Sequence, residues 1–528
     1  MLNTVKLELI SAIIVLMMTV FGGFTLLSFN QNANVEYFKE TNSSSVSTFI
    51  GDGVTDNTEA IQYALDSVSA AGGGIIRFSN GRYLTGPLTI KSNDTLYIYS
   101  SAQILGTTRM TAYYKPGSDT TKPPGSLLPL LSADHADNIA IIGKGSIDGQ
   151  GEPWWTASEN GTVSKRPRLF QPDYCNNVLL KNITLKNSPQ FHFVPRWCNN
   201  VIVDSVTILA PSSSPNTDGI DPMTCHNVHI TNCYIDTGDD NVAIKSGEPD
   251  PSNPNAASSK IYVSQCTFLN GHGVSIGSET GGGVDSMYVD SCSFNGTTNG
   301  IRIKSYRGNG GNVRGIIYSN LTMTNVKYPI LFSEYYPNIP PQRDTAQPVT
   351  SLTPHYHDIT VKNFTSTGSK WGEIIVGLPE MPITNIHLRN VNISSYVGFQ
   401  IRNAAVDTNN VKVKVSHGSP FILEVNGYVT GPTSVNDVSL PSVFSLSQNF
   451  PNPFNPATNF EFRITESGFV TLKVYNLLGD EVATIVNKRL KAGNYRYKWK
   501  PVNLASGVYL YQLREGNFKE TKKLILLK

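Results

Sequence analysis

Four short segments of the chain carry residues that handle protons, and they share one frame. Asn216-Thr217-Asp218-Gly219-Ile220, Gly238-Asp239-Asp240-Asn241-Val242, Gly271-His272-Gly273-Val274 and Asn299-Gly300-Ile301 can be aligned on the first inward apolar residue of a following strand. Asp218, Asp240, His272 and Asn299 then fall in one column, with Asp239 directly before Asp240. Stacked strands lie ~4.8 Å apart, so the alignment predicts three carboxylates on one wall with an imidazole beside them. Taken singly, each segment reads as turn chemistry, because Asp, Asn and Gly are ordinary turn residues. Their coincidence points further. Carboxylates crowded at this spacing repel one another unless one keeps a proton, and that inequality is what general acid/base catalysis uses. In the next strands, Val242-Ala243-Ile244-Lys245, Val274-Ser275-Ile276-Gly277 and Ile301-Arg302-Ile303-Lys304, the apolar members alternate inward. Lys245, Arg302 and Lys304 therefore face the same wall, and cations beside acids predict an anionic substrate.

Only a repetitive framework brings residues so far apart in sequence into one column, and the chain contains a repeat. Tyr174-Cys175-Asn176-Asn177-Val178 returns as Trp197-Cys198-Asn199-Asn200-Val201 and as Thr224-Cys225-His226-Asn227-Val228, with weaker copies starting at Ile261, Met287, Ile316, Ile359 and Ile386. Each copy holds two short alternating strands with an Asn or Asp turn between them, so one coil exposes an apolar face that only its neighbours can cover. The composition agrees: 16% charged residues and 44 glycines in 528 residues suit short strands and turns. An all-β, right-handed parallel β-helix is the expected architecture. Asp56-Asn57-Thr58-Glu59, followed by Ile61, Ala64, Leu65 and Val68 and ended by Gly72-Gly73-Gly74, predicts a capped amphipathic helix closing the N-terminal end.

The same register accounts for all six cysteines. Cys175, Cys198 and Cys225 occupy one position in three coils, and Cys233, Cys266 and Cys292 another. No zinc-type pair or Cys/His cluster is present, so these read as small core residues rather than metal ligands. Adjacent coils are close enough for a disulfide, while side chains parallel in a column have the wrong dihedral for one; the sequence leaves bridging open. Asn182-Ile183-Thr184 and Asn363-Phe364-Thr365 match a glycosylation pattern but read as turns.

Both ends carry address information. Met1 to Lys6, an apolar stretch from Leu9 to Phe29 and a polar segment from Asn30 predict an export signal over residues 1–30, or an anchor of the same length. Residues 45–428 are expected to form the solenoid and 429–442 a linker around Gly431-Pro432. Over 443–528 the alternation of Val470, Leu472 and Val474 predicts an Ig-like β-sandwich. With a net charge of +2 and no basic run, nothing predicts a nucleic-acid partner.

The four segments resemble the motifs of glycoside hydrolase family 28, the polygalacturonases and their rhamnogalacturonan-cleaving relatives, in order and spacing. Gly51-Asp52-Gly53, Gly86-Pro87-Leu88 and Asp148-Gly149-Gln150-Gly151 resemble the family's N-terminal pattern, so the likeness runs from about residue 48 to about 425. The resemblance implies that Asp239 protonates the glycosidic oxygen while Asp218 and Asp240 hold and deprotonate the attacking water, with inversion. It implies that His272 tunes Asp239, that Arg302 and Lys304 bind the galacturonate carboxylate, and that Tyr336, or Tyr335, touches the sugar. Asn216, Lys245 and Gln190 complete the expected substrate-binding set; no metal or organic cofactor is implied. Asn241 stands where fungal members carry a Cys, so their disulfide is not transferred. The stretches Trp154 to Arg168 and Tyr335 to His355 read as insertions beside the groove, with Trp154 and Trp155 either stacking on sugars or packing beneath the loop. They leave endo or exo action open.

The tail, through Leu446-Ser447-Gln448-Asn449-Phe450-Pro451-Asn452-Pro453-Phe454-Asn455-Pro456, Leu504-Ala505-Ser506-Gly507-Val508-Tyr509 and Lys522-Lys523-Leu524, resembles the sorting domain of the type nine secretion system in Bacteroidota-like bacteria. The other reading, a carbohydrate-binding sandwich, rests on Tyr495, Tyr497 and Trp499. The expectation is a secreted or outer-surface bacterial enzyme that cleaves α-1,4-galacturonosyl linkages of polygalacturonate. Its partners are the pectic polysaccharide and the secretion machinery, and it is expected to be a monomer. The alternatives are a rhamnogalacturonan or xylogalacturonan hydrolase, a Ca²⁺-dependent pectate lyase, and a silent glycan-binding solenoid.

Overall fold

The computed structural model describes residues 49–118, 126–247, 256–340, 344–431, 433–434, 444–464, 467–490, 493–502, 504–516 and 518–527. The expected export segment and much of the expected linker lie outside them.

The apolar alternations of the repeat become strands, short in the earlier coils and longer in the later ones, that stack in parallel into a right-handed β-helix. One continuous parallel sheet has 23 strands; the opposite wall is made by parallel sheets of three and seven strands. The repeat anchors meet rung by rung, Val178 on Val201, Val201 on Val228, then Ile261, Met287, Ile316, Ile359 and Ile386. All are buried. The turn between the first two strands of each coil is built on residues with positive φ, among them Asn182, Asn232 and Asn363, a conformation Asn tolerates. Asn182-Ile183-Thr184 thus lies at a corner between strands, as read, whereas Asn363-Phe364-Thr365 bends within the continuous strand His355–Trp371. At the start of the first strand the Asn side chains form a ladder, with Asn138 donating to Asn93, Asn177 to Asn138, Asn200 to Asn177 and Asn227 to Asn200, at 2.6–3.0 Å. Each rung satisfies polar groups that stacking would otherwise strand.

The N-terminal helix α1 (Thr58–Ala70) forms as expected and buries Ile61, Ala64, Leu65 and Val68. Within the Asp56-Asn57-Thr58-Glu59 segment, Asp56 supplies the cap. Asp56 Oδ1 accepts the Thr58 amide at 3.0 Å, while the Asn57 amide is drawn away to the Ile50 backbone, at 2.8 and 3.0 Å. The Asn57 side chain is thereby taken away from the helix end. All six cysteines are buried free thiols in their two columns.

The C-terminal residues form antiparallel sheets of three and four strands, as expected for a sandwich. Tyr495, Tyr497 and Trp499 pack onto its core, with both tyrosine rings against Phe462 (5.6 and 5.9 Å) and Trp499 against Phe460 (5.8 Å). Rings spent on core packing provide no sugar platform, which corrects that reading of the tail.

One core position violates the pattern. Glu373 pairs with Ile330, is fully buried, and neither of its oxygens finds a hydrogen-bond partner among the described residues. Burial drives its carboxyl well above the usual range, so the fold holds a proton that the unfolded chain releases above about pH 4.5. The native state then binds more protons than the unfolded one, and stability is lost as pH rises. Glu373→Met is expected to raise stability in denaturant titrations by about 1–3 kcal/mol, with a larger gain at pH 7 than at pH 4. An equal or lower midpoint at pH 7 would refute this account.

Candidate active site

The wall is carried by three strands of the seven-stranded sheet, β1 (Val242–Ser246), β2 (Val274–Thr280) and β3 (Asn299–Lys304). Ile220 pairs with Val242, Val242 with Val274 and Val274 with Ile301, which is the predicted register. Two places before these residues stand Asp218, Asp240, His272 and Asn299. Gly271 and Gly273 make the close stacking possible. Both have positive φ, and a Cβ would lie 2.3 Å from the Asp239 carbonyl oxygen or 2.2 Å from that of Gly300. Asn241 stitches neighbouring coils together. Its amide donates to Ile235 O and Leu269 O, both 3.2 Å, and its oxygen accepts the Gly273 amide at 2.7 Å.

The three carboxylates meet different surroundings. Asp240 is buried and accepts from Lys304 Nζ (2.8 Å), Ser275 Oγ (2.9 Å) and Arg302 Nη2. Burial alone would raise its pKa, but Arg302 and Lys304 outweigh it and hold the group far below the usual carboxylate range. Asp239 is more open, accepting from Asn216 Nδ2 at 3.2 Å, with His272 Nδ1 3.0 Å from its Oδ1. Burial pushes its pKa up; the His272 bond and nearby positive charge pull it below the ordinary value on balance. Asp218 is buried, and its Oδ1 has no hydrogen-bond partner among the described residues. Burial and the neighbouring Asp221 drive its pKa well up against the opposing pull of Lys245. Burial raises Asp221 as well, so the proton held at the site belongs to the buried Asp218 and Asp221 pair, two carboxyls that share one lysine.

The other expected residues divide. Tyr336 is exposed with Lys304 Nζ 5.0 Å from its ring centre, whereas Tyr335 is buried. Lys245 faces the wall but is committed, 2.9 Å from Asp221 and 3.9 Å from Asp218, so it neutralises acids rather than presenting a free charge. Gln190 lies three places before Phe193, which pairs with Ile220, and is partly exposed. Trp154 is fully buried edge-on to Tyr113, on helix α2 (Glu152–Glu159), and the Trp155 indole donates to Ser188 O at 3.1 Å. Of the two roles read for these tryptophans, packing is the one found. The Tyr335 to His355 stretch is tied down by Arg307, which donates to Asp344 (2.6 Å) and Glu380 (2.9 Å), and by Arg402, which donates to Pro340 O (2.8 Å).

Asp221, Ser275, Arg166 and His192 also belong to the site. Asp221 and Ser275 were within reach of the sequence, since each follows its aligned apolar residue by one place, as Arg302 follows Ile301. Arg166 had no periodic signal. It reaches from the Trp154 to Arg168 stretch to donate to Asn216 Oδ1 at 2.8 Å and to Pro189 O at 2.9 Å, which orients the Asn216 amide toward Asp239. His192, lowered by burial to about pKa 4, is neutral. Its Nε2 accepts the Ser188 amide at 3.3 Å, so Nδ1 carries the proton and donates to the Asp218 carbonyl at 2.9 Å. Asp239, Asp240 and His272 bring one potential ligand atom each within 4.8 Å of one another. The Arg302 and Lys304 cations on Asp240 oppose a further cation there, so the trio is suited to moving protons.

Residues 81–417 match the model of glycosyl hydrolases family 28. The chain belongs to that family. An endo-polygalacturonase from Pectobacterium parmentieri is 34% identical over 367 residues, covering 66% of this chain and 87% of that protein. An exopolygalacturonase from Zea mays is 32% identical over 377 residues, covering 68% and 84%. Among solved structures, the polygalacturonase of Erwinia carotovora ssp. carotovora aligns at TM-score 0.58 and 31% identity, covering 70% of this chain and all of that one. The exopolygalacturonase of Thermotoga maritima aligns at TM-score 0.60 and 26% identity, covering 71% and 94%. Residues 448–527 match the secretion system C-terminal sorting domain, which marks this family-28 chain for export and attachment at the outer surface.

The Asp240 cluster generates a test of the wall. Arg302→Met leaves a buried carboxylate with one cation, so a loss of about 3 kcal/mol in unfolding free energy is expected. Adding Asp240→Asn should restore part of it. A single variant as stable as wild type would show that the charges are not coupled.

Proposed function

We propose that this protein hydrolyses the α-1,4-galacturonosyl linkages of polygalacturonate with inversion, as a monomer whose site residues all come from one chain. The observation that carries the reading is the meeting of Asp218, Asp239 and Asp240 with Arg302 and Lys304 on one wall of a family-28 solenoid. We assign residues 45–428 to the catalytic domain, 429–442 to a linker and 443–528 to the sorting domain.

Asp239 is the general acid, because it is the most open of the three carboxyls and the one in contact with His272. In the free protein it is held below its usual value, so it must be reprotonated for each turnover. A polyanionic substrate favours this, since added negative charge raises a carboxyl's pKa. His272 is placed to return the proton. Asp240, kept ionised by its cations, is the base, and Asp218 holds the attacking water with it. Arg302 and Lys304 share their charge between Asp240 and the uronate carboxylate, Arg302 through donors that Ser275 and Asp240 leave free. Asn216 and Gln190 contact the sugar hydroxyls and Tyr336 borders the ring.

Reducing ends released from polygalacturonate, without ultraviolet absorbance from unsaturated products, are the expected result. The first product seen by proton NMR should be the β-anomer. Asp239→Asn should lower kcat by about 10²- to 10⁴-fold. Unsaturated products, an initial α-anomer or undiminished turnover would each defeat the reading. A second test concerns pH. Because Asp239 works protonated, kcat/KM falls as pH rises through its pKa, and His272→Ala removes a bond that lowers that pKa. The descending limb should therefore move to higher pH in the variant; an unmoved limb would remove His272 from the proton path.

A further inference from the structure

The column containing Asp218 continues toward the N-terminus for two more coils. Phe170 pairs with Phe193 and Phe193 with Ile220, so the residues two places earlier are Arg168, Phe191 and Asp218. Lateral bonds from Leu169 N to Phe191 O (3.0 Å) and from His192 N to Asp218 O (2.9 Å) put these three on consecutive rungs.

The other cations near the wall have fixed partners. Arg166 is bound to Asn216, Arg196 holds Asp173 through two donors, Lys245 pairs with Asp221, and Arg302 and Lys304 with Asp240. Arg168 differs from them. Among the described residues it has no carboxylate within ion-pair distance; it donates through Nη1 to Gln171 Oε1 at 2.6 Å, and its guanidinium carbon lies 5.5 Å from the centre of the Phe191 ring. Arg168 and Phe191 are both partly buried. A neutral amide and an aromatic face, whose ring also has Lys245 Nζ 4.5 Å from its centre, hold the guanidinium in place; Asp173, Asp218 and Asp221 act on it only through space, and a partly desolvated fork with spare donors matches a carboxylate in charge and geometry.

We propose that Arg168, seated on Phe191, binds the carboxylate of a uronate unit on the side of the Asp trio opposite Arg302 and Lys304. The inference rests on the functional reading above and deepens it. The substrate is held by charge on both flanks of the cleaved bond, so the site demands uronates at separated positions rather than one charged sugar among neutral ones.

The test is calorimetric. Affinity for a galacturonate hexamer and for its carboxyl-reduced, neutral counterpart is measured with Asp239→Asn, whose slowed turnover lets binding be read, and with Asp239→Asn carrying Arg168→Gln. Removing one charge-assisted contact should weaken the galacturonate hexamer at least about tenfold and leave the neutral hexamer unchanged. Arg168→Lys, with the charge kept and the fork lost, should fall between them. Unchanged affinity for the charged hexamer, an equal loss for the neutral one, or a Lys variant weaker than the Gln variant would overturn the proposal. Wild-type turnover of polygalacturonate is assayed alongside. Its absence defeats the functional reading itself, whereas turnover with unaffected Arg168→Gln binding defeats only this inference.

Discussion

Everything at the site depends on backbone hydrogen bonds between one coil and the next. A bond such as Gly219 N to Asp240 O, at 2.8 Å, makes two residues separated by more than twenty positions into neighbours. A slip of one residue would turn the wall's side chains into the core. The register is protected against slipping on the other faces, where the Val178, Val201 and Val228 column and the Asn ladder would both have to be broken. The precision of the site is thus set by packing some distance away from it.

That precision lets the protein place three acids together at tolerable cost. Buried carboxylates are disfavoured unless neutralised by a cation or by a proton, and the wall uses both means. Asp240 takes two cations and stays ionised; Asp218 and Asp221 share a single lysine, and burial drives both carboxyls upward. Asp239 lies between these extremes, bonded to His272 and Asn216 and still reachable. The inequality among the three follows from which coil supplies cations, since Arg302 and Lys304 come from β3 and reach back across β2 to Asp240. Ser275 on the intervening strand bridges the gap, accepting from Arg302 Nε at 3.0 Å and donating to Asp240.

The parts of this arrangement legible in the sequence are the periodic ones. Alternating apolar residues and repeated Asn turns carry the fold, and aligning strands on their first inward residue places Asp218, Asp240, His272, Arg302 and Lys304. Asp221 and Ser275 obey the same rule and needed only its extension by one position. Arg166 does not, because it arrives from a stretch with no repeat and is fixed by two carbonyls and an amide that only the folded chain assembles. Which residue caps the first helix is decided in the same way: Asn57 has the local chemistry but its side chain is engaged by Ile50, so Asp56 takes the Thr58 amide. Trp154 and Tyr495 show the converse. An aromatic residue near a groove or on an alternating strand has no mark in sequence that separates a platform from a core ring.

The solenoid also separates its constant and variable sides. In five successive coils two residues separate the first strand from the second, 182–183, 205–206, 232–233, 265–266 and 291–292. The first has positive φ near 55°, and the second is buried as Ile183, Val206, Cys233, Cys266 or Cys292. The cysteine column is therefore a property of the turn: its second residue must be small and apolar enough to stack on copies of itself, and a thiol meets that demand. Length varies elsewhere, before Ile220 and between Ser333 and His355, on the side that adjoins the acids. Because the rigid turn fixes each coil's height and orientation, insertions on the far side can reshape the groove without moving the column that carries Asp218 and Asp240. Arg166 is an instance, a residue from a variable stretch that braces a catalytic neighbour while the rungs beneath it stay in register.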